Sequence, residues 1–127
     1  MPRLSLIVIT KNEAAAIARC LRSADFADEI VVLDSASADK TAEIARSLGA
    51  RVIVSADWPG FGPQKNRALR EASGDWVLSL DADEWIEPAL AAEIKAAIAR
   101  ADAADGYEIP RHSRFLRQER PPRRLAR

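Results

Sequence analysis

Asp81-Ala82-Asp83-Glu84 sets three carboxylates within four residues, directly after the apolar run Trp76-Val77-Leu78-Ser79-Leu80. Two Asp one residue apart on near-extended chain project in similar directions. Carboxylate oxygens suit Mg²⁺ or Mn²⁺, which keep further coordination positions for diphosphate oxygens and water. An Asp-x-Asp pair is also common in turns, and in that reading these side chains cap the helix behind Pro88. Asp34 closes another apolar run and leads into the polar loop Ser35-Ala36-Ser37-Ala38-Asp39-Lys40-Thr41. A carboxylate there can accept hydrogen bonds from a base or ribose. Two phosphate-binding schemes that rely on glycine are missing. Lys11-Asn12-Glu13 stands where a dinucleotide fold needs Gly-x-Gly-x-x-Gly, and no loop ends in Gly-Lys-Ser/Thr. What is left is a site that holds phosphate through a metal.

The elements that must position these groups follow from periodicity. Leu4 to Thr10, Glu29 to Asp34, Arg51 to Ser55 and Asp75 to Asp81 are short and rich in apolar residues, as in strands buried on both faces of a parallel sheet. Helices are expected between them. The first carries Ala14, Ile17, Ala18, Leu21 and Ala24 behind an Asn12 cap. The second opens at Ser37 or Asp39 and stops at Gly49, the third runs from about Gln64 to Ser73 and ends at Gly74, and the last starts at Pro88. Strand alternating with helix predicts an α/β fold, a Rossmann-like doubly wound, mostly parallel sheet. Ligands then bind outside the carboxyl ends of the strands, where Thr10, Asp34 and Asp81 stand.

Composition narrows the class further. The 127 residues, 48% of them apolar, suffice for one domain with a real core. No apolar run approaches the length of a membrane span, and Met1-Pro2-Arg3 lacks the features of a signal peptide, so a cytoplasmic protein is expected. The single Cys20 excludes an internal disulfide and reads as a small apolar group on a helix face. Residues 111–127 hold seven Arg and one Glu, a net +6, which leaves −6 on the first 110. Such a tail can meet phosphate, nucleic acid or anionic lipid, but Pro121-Pro122 favours a solvated end. No nucleic-acid partner is expected.

Four blocks in order carry a resemblance to a known family: Thr10-Lys11-Asn12-Glu13; Val31-Val32-Leu33-Asp34-Ser35-x-Ser37-x-Asp39-x-Thr41; Trp58-x-Gly60-Phe61-Gly62-x-Gln64-Lys65-Asn66-x-Ala68-Leu69; and Asp75-Trp76-Val77-Leu78-x-Leu80-Asp81-Ala82-Asp83-Glu84. The chain resembles a family 2 glycosyltransferase of GT-A fold over residues 4–110, and within it the bacterial lipopolysaccharide inner-core β-1,4-glucosyltransferases. The resemblance implies that Thr10 and Glu13 line a nucleotide pocket, that Asp34 holds base or ribose, and that Lys65 lies near base or phosphates. It implies further that Asp81 contacts ribose or metal and that Asp83 is the main ligand of a Mg or Mn divalent cation. The implied partners are a UDP-sugar donor and a glycan or lipid-linked acceptor, with peripheral contact to the cytoplasmic face of the inner membrane. The implied reaction is an inverting single displacement whose general base is expected beyond Arg127. On this reading residues 1–110 are the nucleotide-sugar-binding part, residues 111–127 are a disordered or out-of-frame tail, and the chain is a truncated enzyme. Two alternatives stand beside it. One is a nucleotide-sugar-binding fragment without turnover. The other is a haloacid-dehalogenase-type phosphatase, whose Asp-x-Asp normally follows the first strand and is completed by Thr or Val where Trp85 stands here.

Overall fold

The computed structural model describes residues 3–99 and the backbone of residues 107–109, 114–118 and 125–126. Four strands and four helices alternate as β1 (Leu4–Thr10), α1 (Ile17–Ser23), β2 (Glu29–Asp34), α2 (Thr41–Ser47), β3 (Arg51–Val54), α3 (Phe61–Glu71), β4 (Trp76–Asp81) and α4 (Pro88–Ala99). Three short strands follow, β5 (Tyr107–Ile109), β6 (Arg114–Gln118) and β7 (Leu125–Ala126). The sheet runs β3-β2-β1-β4-β6-β5 with β7 beside β6. β1 to β4 are parallel to one another, and β6 runs antiparallel to β4. This is the mostly parallel α/β sheet that the residue pattern predicts.

Period-two alternation sorts the core into two layers. Leu6, Val8, Val32, Leu78 and Leu80 meet Ile17, Cys20 and Leu21 of α1, Ala45 of α2, and Ile94 and Ile98 of α4. Ile7, Val31, Leu33 and Val77 point the other way, onto Ala68, Leu69 and Ala72 of α3. Each large side chain buried in these layers contributes roughly 1.5–3 kcal/mol relative to exposure. Cys20 is fully buried, as its apolar reading requires. Among the described residues no helix is long and apolar enough to cross a membrane.

Register brings the strand ends together. Thr10 lies opposite Asp34, and Ile9 lies opposite Asp81. Strand order reverses direction between β1 and β4, so these residues border the crevice where such sheets bind ligands.

The helix starts depart from expectation in three places. Asn12 does not cap α1, which begins after Ala16 with no side-chain cap. Asn12 instead takes a left-handed φ of 56°, a conformation this residue type tolerates. Its Oδ1 accepts a hydrogen bond from the Ala38 N–H at 2.7 Å, tying two loops together. α3 begins at Phe61 rather than near Gln64, because Pro63 falls in the first helical turn, where its missing N–H costs nothing. At α2 the cap position is Lys40, with no side-chain cap bond, rather than Ser37 or Asp39; Asp39, one residue earlier, supports the helix start through its Oδ1, which accepts the Thr41 N–H at 3.0 Å. β6 and β7 fall within residues 111–127 and pair with the sheet; the rest of that stretch lies outside the described residues.

Among the described glycines, Gly74 is the one most closely approached. A Cβ there would lie 2.6 Å from Ser5 Oγ, 2.8 Å from Ser5 N and 2.9 Å from Arg3 O. Two of those atoms are backbone at the start of β1 and cannot swing away. Gly74→Ala is expected to lower stability by about 1–3 kcal/mol through overpacking. Urea unfolding measures this, and an unchanged midpoint would show that the turn before β4 yields freely.

Candidate functional site

At the carboxyl edge of the sheet an open cavity of about 530 Å³ is walled by three groups of residues. Thr10, Lys11 and Glu13 come from the end of β1 and its turn. Asp81 and Asp83 come from the end of β4, and Trp58 and Phe61 from the loop and helix start after β3. The structure therefore brings together four of the six candidate donor and metal residues: Thr10, Glu13, Asp81 and Asp83. Asp34 and Lys65 do not line this cavity. Asp34 is buried beneath it at 1% exposure, and Lys65 sits half-buried on α3.

Asp34 is committed to its neighbours. Its Oδ1 accepts the Thr10 hydroxyl at 2.6 Å and the Ser37 hydroxyl at 2.5 Å. Its Oδ2 accepts the Ser37 N–H at 2.9 Å. Further bonds fasten the β1 turn to the β2 loop. Lys11 Nζ donates to Ser35 O at 2.9 Å, Asn12 N to Ser37 Oγ at 2.8 Å, and Glu13 N to Thr41 Oγ1 at 2.8 Å. The turn that carries Thr10, Lys11 and Glu13 is thus held in place from behind.

The acidic loop is held as firmly. Glu84 N donates to Asp81 O at 2.9 Å and Asp81 N donates to Glu84 Oε1 at 3.0 Å, which closes the turn and commits the Glu84 carboxylate to it. Helix α1 grips the same loop. Ser23 Oγ accepts the Ile86 N–H at 2.9 Å, and the Cys20 thiol lies 3.5 Å from Asp81 O. The Arg19 guanidinium stacks 3.7 Å above the Trp85 ring, a cation–π contact. With their backbone fixed, Asp81 and Asp83 leave their side chains exposed.

Glu13 has its pKa raised above the ordinary 4.5, first by burial and then by repulsion from Asp83, Asp39 and Asp81. The folded state therefore favours protonated Glu13. The stability this contributes is present below the ordinary value and lost as pH climbs through the raised one. Among the described residues no group of three His, Cys, Asp or Glu is arranged to hold a metal unaided. The site does fit a Mg²⁺- or Mn²⁺-like cation. Such an ion takes one or two carboxylates, completes its shell from diphosphate and water, and relieves the repulsion around Glu13.

Residues 5–125 match the family described as Glycosyl transferase family 2. The chain belongs to that family. It is 47% identical over 94 residues to an uncharacterized glycosyltransferase of Rickettsia bellii (strain RML369-C), covering 73% of this chain and 32% of that one. It is 32% identical over 117 residues to the lipopolysaccharide core biosynthesis glycosyltransferase LpsC of Rhizobium meliloti (strain 1021), covering 85% and 42%. Among solved structures it resembles glucosyl-3-phosphoglycerate synthase from Mycobacterium tuberculosis, in complex with Mn²⁺, UDP-glucose and phosphoglyceric acid. There the identity is 25% and the TM-score 0.68, over 84% of this chain and 43% of that one. The chain spans about a third of the length of the first curated relatives it matches. Family 2 membership sets the phosphatase alternative aside, in keeping with an Asp-x-Asp pair that follows β4 rather than β1.

For this family 2 chain, reasoning from residue type alone missed part of the site. Gln64, not Lys65, is the α3 side chain turned inward. It is fully buried and donates to Ser35 Oγ at 2.9 Å. Its spacing of four from buried Ala68 was the available signal. Arg67, which could have been plain helix surface, forms a two-pronged pair with Asp57 at 2.9 and 3.0 Å. Hydrogen bonds from Arg67 and Ser55 hold the Asp57 carboxyl well below its usual range. Trp58 and Phe61 carried part of the family resemblance but no site role, although two aromatics in a Gly- and Pro-rich loop past a strand end are a recognisable sign.

Proposed function

We propose that this chain is the nucleotide-sugar-binding part of an inverting, metal-dependent glycosyltransferase. Its donor is a UDP-sugar, with UDP-glucose the leading candidate, and its acceptor is a glycan or lipopolysaccharide core. Such an acceptor is assembled at the cytoplasmic face of the inner membrane, where the chain would act. One observation carries the reading: Asp81 and Asp83 stand exposed at the end of β4, in one cavity with Thr10 and Glu13. The lipopolysaccharide-core relative and the UDP-glucose and Mn²⁺ complex of the structural neighbour support it.

In this reading Asp83, with Asp81 beside it, holds Mg²⁺ or Mn²⁺. That cation supplies Lewis-acid stabilisation of the negative charge that develops on the departing diphosphate. Thr10 and Glu13 shape the wall next to the donor, and Asp34 fixes Thr10 in place from beneath. α1 keeps the acidic loop from drifting, which matters because misplacement of about 1 Å can cost 10²-fold in rate. Asp81 and Asp83 serve the cation and Glu84 closes the turn, so none of the three is assigned as general base.

Calorimetry with UDP is the test. Binding is expected with Mn²⁺ or Mg²⁺ and lost in EDTA. Equal affinity in EDTA would overturn the cation-dependent site.

A further inference from the structure

Trp58 and Phe61 are 47% and 65% exposed, although large aromatics of this kind are normally buried. Both line the cavity that holds Asp81 and Asp83. Their rings meet edge to face at 5.2 Å and 83°, so each ring holds the other in place. Its mounting is equally deliberate. Gly60, between the two, takes a φ of +114°, which an L side chain rarely adopts. The two-pronged Arg67 pair pins Asp57 just before Trp58, and buried Gln64 pins the helix turn just after Phe61. A rigid, exposed aromatic pair facing a cavity is a recognition surface.

Position says what it recognises. The acidic pair ends β4, whereas the aromatic pair opens α3, which packs on β1 and β2 and whose Gln64 bonds Ser35 past the end of β2. The aromatic pair therefore approaches the cavity from the β1–β2 side and the acidic pair from the β4 side. If the diphosphate lies at Asp81 and Asp83, the sugar and its acceptor must meet beside it, at the β4 end. The far end of the donor is then the part that reaches the start of α3. We infer that Trp58 and Phe61 form a stacking wall for the nucleobase of the donor. This rests on the donor-binding reading above and adds to it the group that holds the base. Stacking tolerates any base, since each presents a π-face, so the wall supplies affinity rather than a choice among bases.

The chain has three Trp, and they are well separated in environment. Trp76 is fully buried in the core and Trp85 lies under Arg19, so only Trp58 lines the cavity. Uridine and UDP with Mn²⁺ should each quench the intrinsic fluorescence, and Trp58→Phe should remove that quench while keeping an aromatic surface. The double variant Trp58→Ala with Phe61→Ala should weaken uridine and UDP alike by about 5- to 150-fold, the range of one stacked base. Pyrophosphate with Mn²⁺, which has no base, should bind the double variant as it binds the wild type. Near-UV circular dichroism and the melting temperature establish that the variant is folded. Unchanged uridine affinity in the folded double variant would overturn the wall and leave the donor reading intact. So would an equal loss of pyrophosphate, which would mark a general collapse of the site. A wild-type chain that binds neither UDP nor uridine would overturn both.

Discussion

Asp83→Ala is expected to lower the cation-dependent affinity for UDP by one to two orders of magnitude, about 1.4–2.8 kcal/mol, and to leave uridine affinity near wild type. Asp83 is exposed and lines the cavity, so its removal opens no core void and strands no buried donor. The loop around it keeps its shape, because the ties from Ser23, Cys20 and Glu84 go to Ile86 and Asp81 rather than to Asp83. What disappears is one carboxylate and its share of the field that the cation feels. Calorimetry with UDP, uridine and pyrophosphate separates the possibilities. A parallel loss for uridine would give Asp83 an architectural role. No loss for UDP in Mn²⁺ would place the cation on other groups.

Asp34→Ala is expected to destabilise the fold by about 2–4 kcal/mol. The carboxylate accepts three hydrogen bonds at 1% exposure, from the Thr10 hydroxyl, the Ser37 hydroxyl and the Ser37 N–H. The hydroxyls can rotate toward other acceptors, but the Ser37 N–H is fixed in direction. Ala36, with a φ of 52°, holds the same loop in a left-handed turn that depends on such support. Asp34→Asn should cost less, since one amide oxygen still accepts. Urea unfolding of the two variants gives the ranking. Nucleotide affinity should fall as well, through the loss of Thr10 placement rather than of a direct contact. Equal stability for Asp34→Ala and wild type would return Asp34 to the role of a direct ligand for base or ribose.

Much of this was legible along the chain. Leu4–Thr10 and Glu29–Asp34 are strands to the residue expected, and Asp75–Asp81 is long by one. Buried parallel strands announce themselves through runs of a few apolar residues, and a strand needs no distant partner to reveal that it is one. The same local logic located the acidic pair, since Asp81 and Asp83 take their meaning from the strand they terminate. It could not say which way side chains in the loops would turn. Asp34 resembles Asp81 in sequence, each closing an apolar run, yet one is buried and the other exposed. The difference lies in what each meets. Thr10, 24 residues away, and the Ser37 turn close over Asp34, whereas α1 grips the Asp81 loop by its backbone and leaves its carboxylates outside. Gln64 against Lys65 was decided likewise, by the phase of α3 over the sheet and the Ser35 hydroxyl waiting there. Trp58 became part of a site only when α3 was laid across β1 and β2, which brought the loop before it to the ends of β1 and β4. Element type is set by neighbours along the chain, but the fate of a polar or aromatic side chain at a strand end is set by groups the fold brings to it from afar.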